Sequence, residues 1–379
     1  MNGDHSMFHI AIYLYKASNR TFGIGEFDYC IGKEIEKLAA SCKDRISFYF
    51  LVHPSMMHAF GPDVHCLPIT RRTMKLLNVP VISGLIQRKW PHFDLIHYTD
   101  QLPKTTNINA RYKLMTWHDI NFMHNHIPRI KKWKRTWRTA RLLRRCTHLS
   151  FISNFAAHDV MTHFSVRVPW RIIPNGASDL TGILSPDTRT LNGQQLPTRF
   201  LFSISRWAPK KGQHLMVEMM QCLRDHHLVL AGTSHDSYRH LVEETVRRLR
   251  LKNVTLLNAV SEEEKAMLYR NCESFLFPSQ SEGFGLPVIE AMHFGKPTFL
   301  SRLTALPETG GDAAYYFDDL QPESMAATVQ EGLRDFATDK EGKAMAIKAH
   351  AEKFSWSTAA GSYFQYYQDI LATIGDFGH

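Results

Sequence analysis

The sequence lacks the features that mark secreted, membrane-spanning and zinc-binding proteins. It has six cysteines in 379 residues and no C-x-x-C pair, so it offers neither a disulfide framework nor a zinc site. No window supplies the ~18 uncharged apolar residues that a spanning helix needs. The start, MNGDHSMFHIAIYLYK, lacks the cationic and apolar regions of a signal peptide. These absences lead us to expect a cytoplasmic protein with reduced thiols.

What is present is an ordinary globular composition with unevenly divided charge. Hydrophobic residues make up 44% of the chain, and at ~150 residues per domain the length predicts two domains. Residues 1–180 carry 25 Lys/Arg against 12 Asp/Glu, whereas residues 181–379 carry 20 against 24. This asymmetry predicts that one domain meets an anionic partner, which could be nucleic acid, an acidic membrane surface or a phosphorylated substrate.

Short apolar runs alternate with amphipathic helical stretches along the whole chain. This order is typical of β-α-β units, whose parallel sheets are covered on both faces. Two such series, separated by a polar segment over 176–198, predict an α/β protein with two Rossmann-like domains facing a cleft. The predicted strands are 8–14, 46–52, 94–98, 113–117, 149–153, 171–173, 200–205, 228–231, 254–257, 274–277 and 297–301.

The most informative motif follows the predicted strand 274–277. The segment Glu282-Gly283-Phe284-Gly285-Leu286 leads into a helix, and its glycines allow the backbone to approach a ligand closely. The unpaired N–H groups at a helix start favour a phosphate. The sequence therefore predicts a phosphate-binding turn here.

A second carboxylate, Glu290, lies one turn inside the same helix. A carboxylate there can accept two hydrogen bonds from a ribose diol, while Glu282 faces the sugar beyond the phosphates. Either glutamate alone would be interpreted as a capping or surface residue. Together with the glycines, the two acids indicate a nucleotide-sugar site.

The Glu-x7-Glu spacing around G-F-G-L-P resembles the hallmark of the retaining glycosyltransferases of family 4, which have the GT-B fold. The resemblance implies a first, acceptor-side domain over 1–175, with 355–379 packing back on it. It further implies a linker over 176–197 and a nucleotide-sugar-binding domain over 198–354. The anomeric configuration of the transferred sugar would be retained.

A basic loop supports this resemblance. Arg206 and Lys211 flank the loop after the predicted strand 200–205, where two cations can clamp a diphosphate leaving group. They match the R-x4-K-G element of the family, and the glycine that follows selects Lys211 over Lys210. Ser205 stands where many members have glycine. Alone, such a loop could equally be a solvated surface loop.

In the first domain the resemblance implies a glycine loop and a histidine. Gly23 and Gly25 follow the first strand, as does the family's glycine loop near the donor phosphates and the acceptor, although a tight turn would also explain them. His118 and Asp119 follow the strand 113–117. By resemblance His118 contacts the donor sugar, and Asp119 orients it or caps the next helix.

Four further segments resemble family elements less specifically. Ser153-Asn154-Phe155 matches a strand-end motif, and 173–176 matches an interdomain P-N-G turn. Val260 and Ser261 match the loop that packs on the nucleotide base through backbone groups. Glu308 matches the segment that closes the nucleotide pocket.

A strongly basic stretch runs from Arg129 to Arg145, with nine Lys/Arg and no acid. Ile130, Trp133 and Trp137 recur on it at helical spacing, which favours a helix lying on an anionic bilayer surface. The alternative is a helix that packs its tryptophans inward and exposes its cations. Nucleic-acid binding is disfavoured, since no known nucleic-acid-binding motif accompanies the charges.

The sequence analysis thus predicts a hexosyltransferase that uses a nucleotide-diphosphate sugar and a glycan or glycolipid acceptor. The donor would be GDP-mannose or a UDP-hexose, and the step would belong to bacterial lipopolysaccharide, capsule or other surface polysaccharide assembly. No D-x-D metal motif is present, and no cofactor or metal is expected. The alternatives are a GT-B epimerase or phosphorylase, and a non-catalytic binder of nucleotide-sugars or polyanions.

Overall fold

The chain folds into two units, each built around its own parallel sheet. The computed structural model describes residues 7–20, 23–124, 127–184, 190–191, 194–233 and 237–373. Unit 1 comprises residues 1–176 and 356–379, and unit 2 comprises 177–355. Residues 177–197, which we predicted as part of a linker, are counted with unit 2.

In the described part of unit 1, seven parallel strands form one sheet in the order β3-β2-β1-β4-β5-β6-β7. Strand β1 lies between β2 and β4, and its residues Ile10, Ala11 and Ile12 are fully buried. Near-continuous apolar runs of this kind are expected when both faces of a sheet are covered. The strands are β1 (Phe8–Tyr13), β2 (Ile46–Val52), β3 (His65–Pro68), β4 (Phe93–Tyr98), β5 (Ala110–Trp117), β6 (His148–Phe151) and β7 (Trp170–Ile172).

Helices cover both faces of this sheet. The last helix of the chain returns to unit 1, as predicted, and its Tyr363 and Tyr367 are fully buried. The Tyr367 hydroxyl lies 2.7 Å from Nδ1 of His97 in the sheet, so this helix is part of the core of unit 1. The helices of unit 1 are α1 (Gly23–Ala39), α2 (Arg71–Leu77), α3 (Pro80–Gln87), α4 (Arg129–Leu143), α5 (Asn154–His163) and, at the end of the chain, α13 (Trp356–Ala372).

In the described part of unit 2, six parallel strands are ordered β12-β11-β10-β13-β14-β15. The chain starts at β10, adds strands to one side, and then returns to add β13 on the other side, so the strand order reverses between β10 and β13. Open α/β sheets bind ligands at such a reversal. The strands are β10 (Leu201–Ile204), β11 (Leu228–Ala231), β12 (Val254–Leu257), β13 (Ser274–Phe277), β14 (Thr298–Ser301) and β15 (Tyr315–Phe317), preceded by a small hairpin of β8 (Thr190–Leu191) and β9 (Gln194–Gln195).

The helices of unit 2 are α6 (Gln213–Met219), α7 (Ser237–Arg248), α8 (Glu262–Asn271), α9 (Leu286–His293), α10 (Leu306–Gly310), α11 (Pro322–Thr338) and α12 (Lys340–Ala351). Helices α6 to α10 alternate with the strands of unit 2, and α11 and α12 follow the last strand.

Every predicted strand is present to within three residues at each end. The prediction missed β3, β15 and the hairpin. Strand β3 is partly exposed and β15 has three residues, so neither has the long apolar run that identifies a buried strand. All six cysteines are free. Along the described ranges, no helix combines the length and the hydropathy that crossing a bilayer requires.

Candidate active site

The loops that follow β10 and β13 lie side by side at the carboxyl edge of the sheet of unit 2. Leu201 pairs with Ser274 in the parallel register of these two strands. The loops are tied together by the N–H of Gln280, which donates to the carbonyl of Lys210 at 2.7 Å. Gly212, at φ +71°, would place a Cβ 2.8 Å from the carbonyl oxygen of Pro278. The close approach of the two loops therefore requires glycine at 212.

Lys211 and Glu282 form an ion pair across these loops. The Lys211 Nζ donates a hydrogen bond to Glu282 Oε1, and the two side chains are 15% and 13% exposed. The same Nζ lies 5.3 Å from the centre of the Phe277 ring. Since little water surrounds the pair, its attraction is stronger than that of a surface ion pair. The structure thus brings together the cation predicted for the diphosphate and the carboxylate predicted for the sugar.

Thr304 holds the backbone of Glu282 in place. The Glu282 N–H donates to Thr304 Oγ1 at 3.0 Å. Thr304 itself adopts a left-handed backbone, with φ +55°, which is rare for a β-branched residue and costs on the order of 1–3 kcal/mol. The surrounding structure therefore strains Thr304 where it contacts Glu282. Sequence reasoning missed this residue, because nothing local links it to Glu282.

The turn before α9 presents backbone donors. Gly285 has φ +108°, and a Cβ there would lie 2.9 Å from Leu306 Cδ2. Within the described residues, the N–H groups of Phe284, Gly285 and Leu286 donate no hydrogen bond. Pro287 has no N–H. Unpaired donors at a helix start, with the helix dipole behind them, are suited to an anion.

Glu290 is held inside α9 by two donors from α8. It is 8% exposed, and it accepts hydrogen bonds from Tyr269 Oη at 3.0 Å and Lys265 Nζ at 3.2 Å. Burial and the Glu290 charge raise the pKa of Tyr269 well above its usual value. Burial opposes the charge of Lys265, but the Glu290 and Glu262 carboxylates outweigh it and raise the pKa of Lys265.

These two bonds leave acceptor capacity on the Glu290 carboxylate, which has about four lone-pair sites. Glu290 can therefore still accept hydrogen bonds from a diol. Lys265 and Tyr269, four residues apart on α8, share one side of that helix. This spacing is the one sequence signal that could have identified them.

Arg206 differs from Lys211 because it has no charged partner among the described residues. Its side chain is exposed, and its guanidinium makes no hydrogen bond or ion pair in the part of the chain that the structure describes. Its carbonyl accepts a hydrogen bond from Gln213 Nε2 at 3.0 Å, and that amide also bonds Ser205 Oγ at 2.8 Å. The loop backbone is therefore anchored while the positive charge is available to a ligand.

Two further predicted elements lie near this edge. Val260 is half-buried in the loop before α8, and Ser261 caps that helix in a capping box with Glu264. Glu308 lies in α10, where the next residue, Thr309, donates from Oγ1 to the Phe284 carbonyl at 2.6 Å. Val260 therefore adjoins the helix whose Lys265 and Tyr269 bond Glu290, and Glu308 adjoins the residue that bonds Phe284.

In unit 1 the two glycines predicted to form a loop lie instead in the first turn of α1 (Gly23–Ala39), and α1 contacts His118. Phe27 of α1 packs edge-on to the His118 ring, with 4.9 Å between ring centres. A Cβ on Gly25 would lie 1.8 Å from the Asn19 carbonyl oxygen, whereas one on Gly23 would meet no atom of the described residues within 4 Å. Only the second glycine of the predicted pair is therefore required by packing.

His118 is buried directly after β5. Burial lowers the pKa of its ring. Its Nε2 lies 2.8 Å from the Thr99 carbonyl, and because a carbonyl only accepts, Nε2 carries the hydrogen and Nδ1 keeps its lone pair. The predicted roles of Gly23, Gly25 and His118 toward the donor stay predictions.

Sequence reasoning missed an acidic cluster at the same edge of unit 1. Asp28 is fully buried and accepts a hydrogen bond from the Lys16 N–H at 2.9 Å. Lys16 Nζ in turn pairs with buried Asp100 at 2.6 Å. Burial raises the pKa of Asp28 to about 8. Asp28 and Asp100 carried no spacing signal, because the fold brings them together from 72 residues apart.

The predicted site residues thus divide between the units. His118, Gly23 and Gly25 belong to unit 1, and the others belong to unit 2. Among the described residues, no three His, Cys, Asp or Glu side chains are grouped as a metal site would require.

Comparison with known proteins finds sequence similarity in the second unit. Residues 187–352 match the family model described as Glycosyl transferases group 1. The serotype-specific mannosyltransferase WbdA of Escherichia coli is 30% identical over 178 residues, covering 44% of this chain and 21% of that protein. The O-antigen chain mannosyltransferase B of Escherichia coli is 34% identical over 125 residues, covering 33% of this chain and 32% of that protein. The matched segments therefore span about a fifth to a third of these relatives.

Solved structures resemble the whole chain in fold. Sucrose-phosphate synthase from Thermosynechococcus elongatus superposes with a TM-score of 0.74 at 19% identity, covering 97% of this chain and all of that one. The structure of Anabaena Alr3699/HepE in complex with UDP and glucose superposes with a TM-score of 0.72 at 17% identity. The match covers 96% of this chain and 100% of that one. The prediction of a GT-B fold is confirmed.

Proposed function

We propose that this chain is a retaining glycosyltransferase that moves a hexose from a nucleotide-diphosphate sugar to an acceptor hydroxyl. The observation that carries the proposal is the Lys211–Glu282 pair beside the unpaired N–H groups of the α9 turn. Cations and amides at the carboxyl edge of a sheet suit a diphosphate, and the acids next to them suit sugar hydroxyls.

The proposed reaction breaks the bond between the anomeric carbon and the diphosphate oxygen, and the electron pair leaves with the diphosphate. The acceptor oxygen forms the new bond on the same face, and its proton passes to the departing diphosphate. Arg206, Lys211 and the amides of Gly285 and Leu286 stabilise the growing charge, the term that usually contributes most to such catalysis. In this proposal they neutralise it without a metal ion or a cofactor.

The two glutamates have different proposed tasks. Glu290, already held by Lys265 and Tyr269, binds the ribose diol with its remaining lone pairs. Glu282 binds hydroxyls of the transferred sugar. Because Glu282 neutralises Lys211 in the free protein, donor binding requires Lys211 to turn from Glu282 toward the diphosphate. The backbone at Val260 is proposed to contact the base.

The proposed donor is GDP-mannose, with UDP-hexoses as the second choice. Mannose is supported by the relatives named as mannosyltransferases, and UDP by the UDP bound to the HepE structure. The proposed acceptor is a glycan or glycolipid in bacterial surface polysaccharide assembly, supported by the O-antigen relative. We place the protein at the cytoplasmic face of the membrane, through the basic helix α4.

The test is a panel of GDP-mannose, UDP-glucose and UDP-galactose, scored for sugar release and for transfer to glycan acceptors, with and without EDTA. We expect one donor to be consumed at an unchanged rate in EDTA. NMR of the product should show the anomeric configuration of the donor. Binding of UDP or GDP without consumption of any donor would identify a non-catalytic binder, and inversion would refute the retaining mechanism.

A further inference from the structure

Helix α4 carries a row of exposed apolar side chains. Ile130, Trp133 and Trp137 are 71%, 67% and 52% exposed, and their spacing places them along one side of the helix. The opposite side, with Leu142 and Leu143, is buried. The prediction left open whether the tryptophans pack inward. In the structure they do not, so the apolar row faces solvent.

Some of the cations around this row anchor the helix, Arg141 lies over the Trp137 ring, and others are exposed. Lys132 Nζ and Arg138 Nη2 donate to the carbonyls of Met123 and Pro103 and hold α4 on the unit. Lys131 and Lys134 are exposed, and within the described residues no carboxylate pairs with any cation of α4. The exposed side of α4 is therefore apolar, and none of the described carboxylates neutralises its positive charge.

A second helix has the same character. On α3, Val81 and Leu85 are 78% and 56% exposed, and four-residue spacing places them on one side. The flanking sequence, residues 64–93, contains five Lys/Arg and no Asp/Glu. Across 64–158 the count is 17 Lys/Arg against three Asp/Glu, of which Asp100 is buried and paired with Lys16.

Helices α3 and α4 cover the same face of the unit 1 sheet. Leu142 and Leu143 of α4 belong to the hydrophobic cluster against which Ile86 of α3 also packs. Asn107 connects the ends of the two helices. Its carbonyl accepts from Gln87 Nε2 at 2.9 Å, and its Oδ1 accepts from Arg145 Nη1 at 3.3 Å. The solvent sides of both helices therefore point away from the same side of the sheet.

We propose that α3 and α4 together form a docking surface for an anionic lipid bilayer, here called the α3–α4 face. Its apolar residues, Val81, Leu85, Ile130, Trp133 and Trp137, insert at the boundary between headgroups and acyl chains, and its cations bind anionic headgroups. The inference deepens the proposed function, since it gives an enzyme with a glycolipid acceptor a means of reaching it.

Charge and apolar exposure together favour a bilayer over nucleic acid. Cations alone suit either polyanion. Bases, however, stack on aromatic rings, whereas Val81, Leu85 and Ile130 are aliphatic and gain most from a hydrocarbon environment. The α3–α4 face thus carries two groups of apolar side chains, aliphatic on α3 and both aliphatic and aromatic on α4, among cations. This combination matches the chemistry of helices that lie in the interface of a bilayer.

The experiment uses the full chain and two vesicle types, pure phosphatidylcholine and a 3:1 mixture with phosphatidylglycerol, in a co-sedimentation assay. We expect binding to the anionic vesicles only, with a blue shift of tryptophan fluorescence. V81S/L85S and W133A/W137A should each weaken binding about tenfold or more, and K131Q/K134Q about fivefold per cation removed. The matched control is L241S/M345S, since Leu241 and Met345 are comparably exposed in unit 2, and it should bind as the wild type does.

Three results would overturn the proposal. The first is equal binding to neutral vesicles, and the second is binding to duplex DNA or RNA without binding to anionic vesicles. The third is binding of V81S/L85S to anionic vesicles at the wild-type level, which would show that α4 binds the bilayer without α3. Hydrolysis of a soluble donor is measured on the same variants and should be unchanged. If the wild type turned over no donor, the proposed function would be refuted. If the wild type turned over a donor but did not bind anionic vesicles, only the α3–α4 face would be refuted.

Discussion

Lys211 and Glu282 are 71 residues apart in the sequence and form an ion pair across two adjacent strand ends. Each belongs to a different predicted motif, one for the diphosphate and one for the sugar. Because of this pairing, Glu282 already neutralises the charge of Lys211 in the free protein. A diphosphate ligand must therefore compete with Glu282 for Lys211, and this competition can be measured.

Replacing Glu282 with Gln should separate binding from turnover. Without the competing carboxylate, Lys211 is available to the diphosphate, so we expect UDP or GDP to bind about two- to tenfold more tightly. Turnover of the donor should fall about 100-fold or more, because the sugar loses a charged contact. Calorimetry and a donor-hydrolysis assay measure the two effects.

The companion variant is Lys211→Ala, for which both affinity and turnover should fall by about tenfold or more. Lys252→Ala is its control, because Lys252 is exposed and precedes β12, at the opposite edge of the sheet. Weaker binding of the diphosphate by E282Q would contradict the competition between Glu282 and the ligand.

Arg206→Ala should affect binding without affecting stability. Its guanidinium is exposed and has no partner in the described chain, so its loss should leave the thermal midpoint within about 1 °C, as expected of surface changes. Affinity for UDP or GDP should drop about tenfold, as expected when a charge-assisted contact is lost.

The control for this variant is Arg224→Ala, an exposed arginine in the segment that precedes β11. This control should change neither the thermal midpoint nor the affinity for UDP or GDP. If both arginine variants weakened binding equally, the effect would be one of net charge, and Arg206 would have no specific contact with the ligand.

The two glycines at the start of α1 should respond differently to alanine. At Gly25 the added Cβ would lie 1.8 Å from a backbone oxygen, so the chain must move, and we expect a loss of about 2 kcal/mol or more in stability. At Gly23 the added Cβ would have no described atom within 4 Å, and a change within about 0.5 kcal/mol is expected. Thermal unfolding followed by circular dichroism compares the variants. Equal effects would show that Asn19 does not constrain Gly25.

Asp28 should make the stability of unit 1 depend on pH. Burial raises its pKa from 3.8 to about 8, and Asp100, Lys16 and Tyr13 are the charged or titratable groups around it. Between about pH 4 and pH 8 the folded state holds a proton that the unfolded state has lost. The contribution of the Asp28 proton to the free energy of unfolding is therefore complete below about pH 4, decreases as the pH rises, and is lost above about pH 8.

Asp28→Asn removes this titration. Measured across pH 4 to 8, the thermal midpoint of the wild type should decline relative to that of D28N, and the two curves should run parallel above pH 8. Asn can still accept the Lys16 N–H, so D28N is expected to fold. Parallel curves over the whole range would show that Asp28 does not hold a proton in the folded protein.

The fold was largely predictable because apolar runs and amphipathic helices are local patterns. Strands β1, β10 and β13, which organise the two sheets, are continuous buried runs, and each was predicted. Strands β3 and β15 were missed because a short edge strand has one neighbour and needs little apolar sequence. The loop positions of Lys211 and Glu282 followed from the strands that precede them.

The contacts within the candidate site had no such local signal. Thr304 supports Glu282 from 22 residues away, and Tyr269 and Lys265 support Glu290 from 21 and 25 residues away. The sequence by itself determined which residue types stand at the strand ends, since that depends on neighbours along the chain. Only the tertiary structure decided which charges neutralise one another. Among the described residues, Arg206 has no charged partner. Lys211 meets Glu282 because β13 lies next to β10, and strand order depends on packing between distant segments.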